Sequence, residues 1–163
     1  MKRIVFIGTP LFADQCLNLL HKEHNVVGVI TQPDRPSGRG KTMTPSEVKI
    51  SAIKHNLPII TPDNINSISS INQLIQWNPD LIVVAAYGQI LKTKVLQIPE
   101  KGCINVHASL LPKYRGASPI SASIMNNDSH TGITIMQMDD GMDTGPIIAQ
   151  ESVDINSTDT TGS

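Results

Sequence analysis

Short, uniformly apolar runs alternate with amphipathic stretches along this chain. KRIVFIG (2–8) is apolar and ends in Gly, the mark of a buried strand. Residues 10–23 set Leu11, Phe12, Leu17, Leu19 and Leu20 at helical spacing, and NVVGVIT (25–31) predicts a second strand. Residues 32–45 hold three Pro and two Gly with no apolar side chain but Met43, and predict a long loop. Pro45-Ser46-Glu47 opens a helix to about His55, and LPIIT (57–61) is a short strand. Ser67 to Trp77 is helical, with Ile68, Ile71, Leu74 and Ile75 on one face.

DLIVVAAYG (80–88) is the most apolar run and does not alternate, so it predicts a strand buried on both faces, as in a parallel sheet. A short helix over 90–98 stops at Pro99. KGCINVHAS (101–109) predicts a strand, LLPKYRGAS (110–118) a loop, and Pro119 to Asn127 a helix started by its proline. TGITIMQMD (131–139) and PIIAQESVDI (146–155) predict strands on either side of the Gly-rich turn DDGMDTG (139–145). Repeated strand–helix–strand units imply an α/β fold: an open, mostly parallel, Rossmann-like sheet with helices on both faces. The short last connection predicts an antiparallel edge at the C-terminal end. NSTDTTGS (156–163) offers Ser and Thr at N-cap positions with Asp159 in a first turn, so it announces a helix where the chain stops. The expectation is a single truncated domain over 1–163.

Composition narrows the function classes. Thirteen Lys+Arg against fourteen Asp+Glu leave a net charge of −1, so any nucleic-acid contact must come from a local patch. Two Phe, two Tyr and one Trp are too few for base-stacking platforms. The longest apolar run, LIVVAAY (81–87), is far short of the roughly 18–20 residues of a membrane span, and the N-terminal run is too short for a secretory signal. Cys16 and Cys103 lie in apolar surroundings without a CxxC partner and read as reduced core residues of a cytoplasmic protein. The expectation is soluble, monomeric and not membrane-bound.

Ligands of open α/β sheets bind beyond the carboxyl ends of the strands, and polar or flexible residues gather there three times. GTPLFA (8–13) is a strand-to-helix turn, either an anion site or a plain tight turn, and it lacks the GxGxxG of a dinucleotide site. Asn105 and His107 are i and i+2 of one strand and point to one face. They form either a hydrogen-bonded core pair or a catalytic pair, Asn supplying a donor for an oxyanion and His a proton carrier. Asp139, Asp140 and Asp143 form a solvated turn, a cation loop, or a turn from which one acid reaches the histidine and fixes its tautomer. His21 and His24 end a helix and read as caps; His55 and His130 show no partner pattern. Met136 and Met138 read as core, Ser109 lacks a nucleophile elbow, and no Cys/His cluster suggests a metal.

NVHASLLPKYRG (105–116) followed by MDDGMDTGP (138–146) resembles the formyltransferases that use 10-formyltetrahydrofolate. Within that family FIGTPLFA (6–13), QPDRPSGRGK (32–41) and VVAAYGQIL (83–91) are most similar to bacterial members acting on methionyl-tRNA. The resemblance covers essentially the whole chain and only the catalytic half of those enzymes; their C-terminal OB-type domain, which helps hold tRNA, has no counterpart here. It implies catalytic roles for Asn105, His107 and Asp143. It implies a folate pterin against Gly88, Gln89, Ile90 and Leu91 and against the turn Asp139, Asp140, Gly141 and Met142. Ser109, Leu110, Leu111 and Pro112 would shape the floor of that site. The turn Gly8, Thr9, Pro10 and Phe12 would face the aminoacyl end of initiator methionyl-tRNA, and Arg35, Arg39 and Lys41 would reach the acceptor stem. Counting Asp34, that loop carries a local +2 over 33–41. The chain departs from the family pattern at Ser121, Ala122, Glu47 and Lys92. The implied reaction is attack of the neutral methionyl amine on the formyl carbon, with Asn105 and protonated His107 stabilising the oxyanion, Asp143 holding His107, and no metal. The alternatives are formyl transfer to a small amine, such as glycinamide ribonucleotide or an amino sugar, and a non-catalytic folate-binding fragment.

Overall fold

Val5, Phe6 and Ile7 are fully buried in β1 (Arg3–Gly8), the strand around which the first half of the chain is built. Burying each such side chain contributes about 1.5–3 kcal/mol. β1 pairs in parallel with β2 (Asn25–Ile30) on one side and with β6 (Leu81–Ala85) on the other; β2 pairs in parallel with β5 (Ile59–Ile60). In β6 every residue after Leu81 is buried, as its lack of alternation predicts. A computed structural model describes all of residues 1–163, which divide into two compact units, Met1–Cys103 and Ile104–Ser163.

In the first unit α1 (Leu11–Glu23) buries Ala13 and Leu17, and Ala13 comes so close to Gly8 that a Cβ there would lie 2.6 Å from its own. Ser46 caps α2 (Glu47–Lys54) and Ser67 caps α3 (Ile68–Trp77), each through a hydroxyl accepting a backbone N–H three residues on. α3 buries Ser70 and Leu74 while Ile68 and Ile75 are exposed, so the apolar stripe is only partly covered. Trp77 instead covers Gly28 of β2. α4 is a single turn, Thr93–Leu96.

The 32–45 segment is not a plain loop. β3 (Arg35–Ser37) and β4 (Thr42–Thr44) form an exposed antiparallel hairpin. Thr-Met-Thr is a good strand former, Pro36 has no further partner strand needing its missing N–H, and Gly38 and Lys41 take positive φ to close the turn. His21 packs its ring on that of His55, 4.6 Å between centroids, and His55 Nε2 bonds Asn18 Oδ1 at 2.8 Å. His21 therefore does not act simply as a cap, and His55 does have partners.

The second unit is antiparallel. β7 (Cys103–His107) pairs with β8 (His130–Gln137), and β8 with β9 (Ile147–Asp154), which ends the strand order with every residue exposed. Antiparallel pairing at β8–β9 follows the short connection; the antiparallel β7–β8 ladder departs from the expected crossover. The connection contains only the seven-residue α5 (Pro119–Met125), and the rest turns back through the loop after His107. β8 alternates along its length, burying Gly132, Thr134 and Met136, which is the antiparallel signature; Met138 is only half-buried. Residues 156–163 form turns, not a helix: Asp159 accepts the Asn156 N–H at 2.7 Å, a helix-start contact with no helix following. No helix is long and apolar enough to cross a membrane.

Candidate active site

Asn105 and His107 occupy alternate positions of β7, opposite Met136 and Thr134 of β8. His107 is 6% exposed, so both of its ring nitrogens need partners within the protein. Nε2 lies 2.9 Å from the Tyr114 carbonyl, and Nδ1 lies 3.5 Å from Asp143 Oδ2. A carbonyl only accepts, so Nε2 carries a hydrogen and Nδ1 is the nitrogen left facing the carboxylate.

Asp143 gets there through its backbone, which adopts φ +52° in the Gly-rich turn; Asp tolerates this left-handed region better than most side chains. Its Oδ2 accepts the Gly116 N–H at 2.7 Å and its Oδ1 accepts Asn105 Nδ2 at 3.2 Å. One carboxylate thus joins the strand, the loop after it and the distant turn. Asp139 does something different: its carboxylate accepts the Gly141 N–H and the Thr144 hydroxyl, closing the turn itself. Met142 is 64% exposed and its sulfur sits beside Gly116.

The loop that carries Tyr114 and Gly116 is held from below. Thr134 Oγ1 donates to the Ser109 carbonyl at 2.6 Å and accepts the Leu111 N–H at 3.0 Å. Gln150 Nε2 adds bonds to Thr134 Oγ1 and to the Leu111 carbonyl. Ser109 donates its hydroxyl to the Lys113 carbonyl, and Leu111–Pro112 is a cis peptide. Ser109 and Leu111 are buried, Leu110 half-buried and Pro112 exposed.

In the first unit the strand ends are tied together at the Tyr87 carbonyl. Thr9 Oγ1 donates to it at 3.2 Å and Gln32 Nε2 at 3.0 Å, while Arg35 donates to Gln32 Oε1 at 3.1 Å. The turn at 8–12, the root of the hairpin and the start of the 88–91 segment therefore share one hydrogen-bonded knot. Gly88 takes φ +87°; Gln89 bonds the Ile65 N–H and the Pro62 and Asp63 carbonyls; Asn66 bonds the Ile90 carbonyl and the Lys92 N–H. Leu91 is buried and Ile90 is 74% exposed. Asp34 is taken up by Lys49 at 2.7 Å, so the charge count of the hairpin changes: Arg35, Arg39 and Lys41 are not offset by it. Arg39 and Lys41 lie exposed in the hairpin turn.

Sequence reasoning does not single out Gln32, Tyr114, Gly116 or Thr134. Gln32 and Thr134 carry a signal, polar side chains bordering or inside apolar strands. Tyr114 and Gly116 act through backbone groups, which residue types do not advertise.

Burial acts on three further groups. The Tyr87 phenol is pushed up to about 12 and the Cys103 thiol to about 12, both by desolvation. The Cys16 thiol is raised by burial as well.

The description "Formyl transferase" belongs to the family model that matches residues 1–163. A methionyl-tRNA formyltransferase of Alkaliphilus oremlandii is 50% identical over 161 residues, covering 98% of this chain and 52% of the relative. One from Pseudomonas fluorescens is 50% identical over 162 residues, 99% of this chain and 51% of the relative. The chain spans about half the length of the curated relatives it matches. Among solved structures, phosphoribosylglycinamide formyltransferase from Bacillus halodurans superposes with a TM-score of 0.80 at 28% identity, over 99% of this chain and 84% of that one.

Proposed function

The chain belongs to the formyl transferase family, and on that premise we propose that it transfers a formyl group from 10-formyltetrahydrofolate to the α-amino group of initiator methionyl-tRNA, as a cytoplasmic enzyme of translation initiation. Residues 1–163 are then its catalytic domain. The observation that carries the reading is the Asp143 carboxylate, which accepts Asn105 Nδ2 and the Gly116 N–H and faces His107 Nδ1.

The chemistry follows from which atoms are free to act. The attacking nitrogen must be the neutral amine, and free α-amines have pKa about 7.7–8.0, so a useful fraction is neutral near pH 7. Attack on the formyl carbon builds an oxyanion. Asn105 Nδ2 is the fixed side-chain donor beside it, and one such donor contributes about 2.7–4 kcal/mol. His107 cannot offer Nε2 to a substrate while the Tyr114 carbonyl holds it, so Nδ1 is the nitrogen that donates or accepts. Asp143 takes the proton from the attacking amine and returns it, directly or through water, to the departing folate nitrogen. The folate pterin is assigned to the 88–91 segment and the 139–142 turn, and the 109–112 stretch to the floor of that site. The Gly8, Thr9, Pro10 and Phe12 turn is assigned to the aminoacyl end and Arg39 and Lys41 to the acceptor stem, while Arg35 holds Gln32 at the root of the hairpin.

Methionyl-tRNA is favoured over a small amine because a small acceptor needs no exposed basic hairpin. The test is incubation of the protein with 10-formyltetrahydrofolate and charged initiator tRNA, followed by assay for formyl-methionine. Asn105→Ala is expected to lower turnover about 10²–10³-fold. Unchanged turnover in both Asn105→Ala and Asp143→Asn rejects the catalytic assignment. Full activity on charged tRNA after removal of residues 36–43 rejects the assignment of the hairpin to the tRNA.

A further inference from the structure

We infer that Asp128, remote from the reacting groups, is a positioning residue that sets the tautomer of His107 through Tyr114. The Asp128 backbone is fixed at the end of α5, its N–H donating to the Ser123 carbonyl at 3.0 Å. Its carboxylate takes three hydrogen bonds from the loop after β7. Lys113 Nζ donates to both oxygens, at 2.8 and 2.9 Å, and the Tyr114 hydroxyl donates to Oδ2 at 2.7 Å. The Lys113 ammonium also lies 5.1 Å from the centre of the Tyr114 ring. The ring of Tyr114 is thereby held at its far end.

This matters because the Tyr114 backbone sits at φ +57°, a region a bulky residue occupies only when its surroundings enforce it. In that conformation its carbonyl is aimed at His107 Nε2, 2.9 Å away. His107 then lies between two acceptors, the Tyr114 carbonyl at Nε2 and the Asp143 carboxylate at Nδ1. A doubly protonated ring donates to both. A neutral ring has one hydrogen and must choose, and the two acceptors compete for it. The carbonyl, at 2.9 Å the nearer acceptor, holds the hydrogen on Nε2 against the pull of the carboxylate 3.5 Å from Nδ1. If Tyr114 relaxes, the carbonyl withdraws and the carboxylate draws the hydrogen to Nδ1, which leaves no basic nitrogen toward Asp143. Asp128 therefore governs which nitrogen of His107 takes part in proton transfer, without touching the ring.

The inference rests on the proposed role of His107 only for its catalytic consequence; the tautomer is read without substrate. The imidazole nitrogens of ¹⁵N-labelled protein are observed by NMR at alkaline pH, with the His107→Gln spectrum assigning the signal. The wild-type neutral ring is expected to carry its hydrogen on Nε2. In Asp128→Leu, and in the Lys113→Met/Tyr114→Phe double variant that removes the same contacts while keeping the carboxylate, the majority hydrogen is expected on Nδ1. Asp128→Asn, which still accepts from Tyr114, is expected to remain close to wild type. With formyl donor and charged tRNA, both disrupting variants are expected to lose about tenfold in kcat with KM for the folate unchanged. A folded double variant with an unaltered His107 signal overturns the inference, whatever its activity. An altered tautomer with unchanged kcat sustains the positioning and counts instead against His107 in the chemistry.

Discussion

The acids of the Gly-rich turn differ in what their carboxylates reach. Asp139 closes the turn on the Gly141 N–H and the Thr144 hydroxyl, while Asp143, at φ +52°, reaches Asn105 of β7. The i, i+2 placement of Asn105 and His107 on one strand face is legible from the residues alone, and so is the need of a buried imidazole for partners. What no residue type discloses is that one partner is the backbone carbonyl of a tyrosine in a left-handed conformation. Replacing Asp143 by Asn keeps an acceptor for Gly116 but removes the charge facing His107 Nδ1. Turnover should fall by roughly 10²–10⁴, with folate affinity little changed, in paired kinetic and equilibrium-binding measurements. The Lys113–Asp128–Tyr114 cluster makes a separate prediction. Hydrogen bonds from Lys113 and Tyr114 hold the Asp128 carboxyl below its ordinary range, and that contribution is lost only as pH falls through the lowered value. The bond to Asp128 raises both Lys113 and Tyr114, so their contribution persists past their ordinary values and is lost as pH rises through the higher ones. At pH about 10, where a free tyrosine is half-ionised, phenolate absorbance should show Tyr87 protonated and Tyr114 less ionised than a free tyrosine. In Asp128→Asn, Tyr114 should return toward ordinary titration while Tyr87, set by burial, stays near 12.

At the scale of elements, the strands were the legible part, because burial on both faces leaves an unbroken apolar run and half-burial leaves alternation. β6 and β8 show the two patterns side by side. The β3–β4 hairpin was hidden because its Pro and Gly content argues for loop while its exposed residues carry no apolar periodicity. The antiparallel β7–β8 ladder was hidden because strand direction depends on how a long connection turns back, which composition does not record. Packing between elements gives the sharpest test. Gly28 of β2 lies directly under the Trp77 indole, so a methyl group there has no room. Gly28→Ala should displace the ring and destabilise the protein by about 1–3 kcal/mol. Because Trp77 is the single tryptophan, denaturant unfolding followed by its fluorescence reports both the lost stability and the displaced ring. Unaltered emission with unaltered stability would contradict the packing of α3 on β2.

For the molecule as a whole, a net charge of −1 places any attraction to nucleic acid in a local field rather than an overall one. The structure sharpens where that field lies. Lys49 takes up Asp34, Arg35 is drawn toward Gln32 at the root of the hairpin, and Arg39 and Lys41 project at its tip. If these two tip cations meet phosphates of the acceptor stem, each displaces counterions, and affinity falls with salt in proportion to the number of contacts. Binding of charged tRNA, measured by filter retention across a range of KCl concentrations, should therefore steepen or flatten with the tip and not with the root. Arg39→Ala/Lys41→Ala should reduce the magnitude of the slope of log K against log salt by about one to two, one contact per cation. Folate binding should be untouched, because the same substitutions leave the knot at the Tyr87 carbonyl intact. Arg35→Ala should act in the opposite sense: it removes the bond to Gln32, loosens that knot, and weakens folate binding more than it changes the salt slope. A salt slope unchanged in the tip variant, with tRNA still bound, would move the nucleic-acid contact off the hairpin and return the choice of acceptor to the strand-end turn at 8–12.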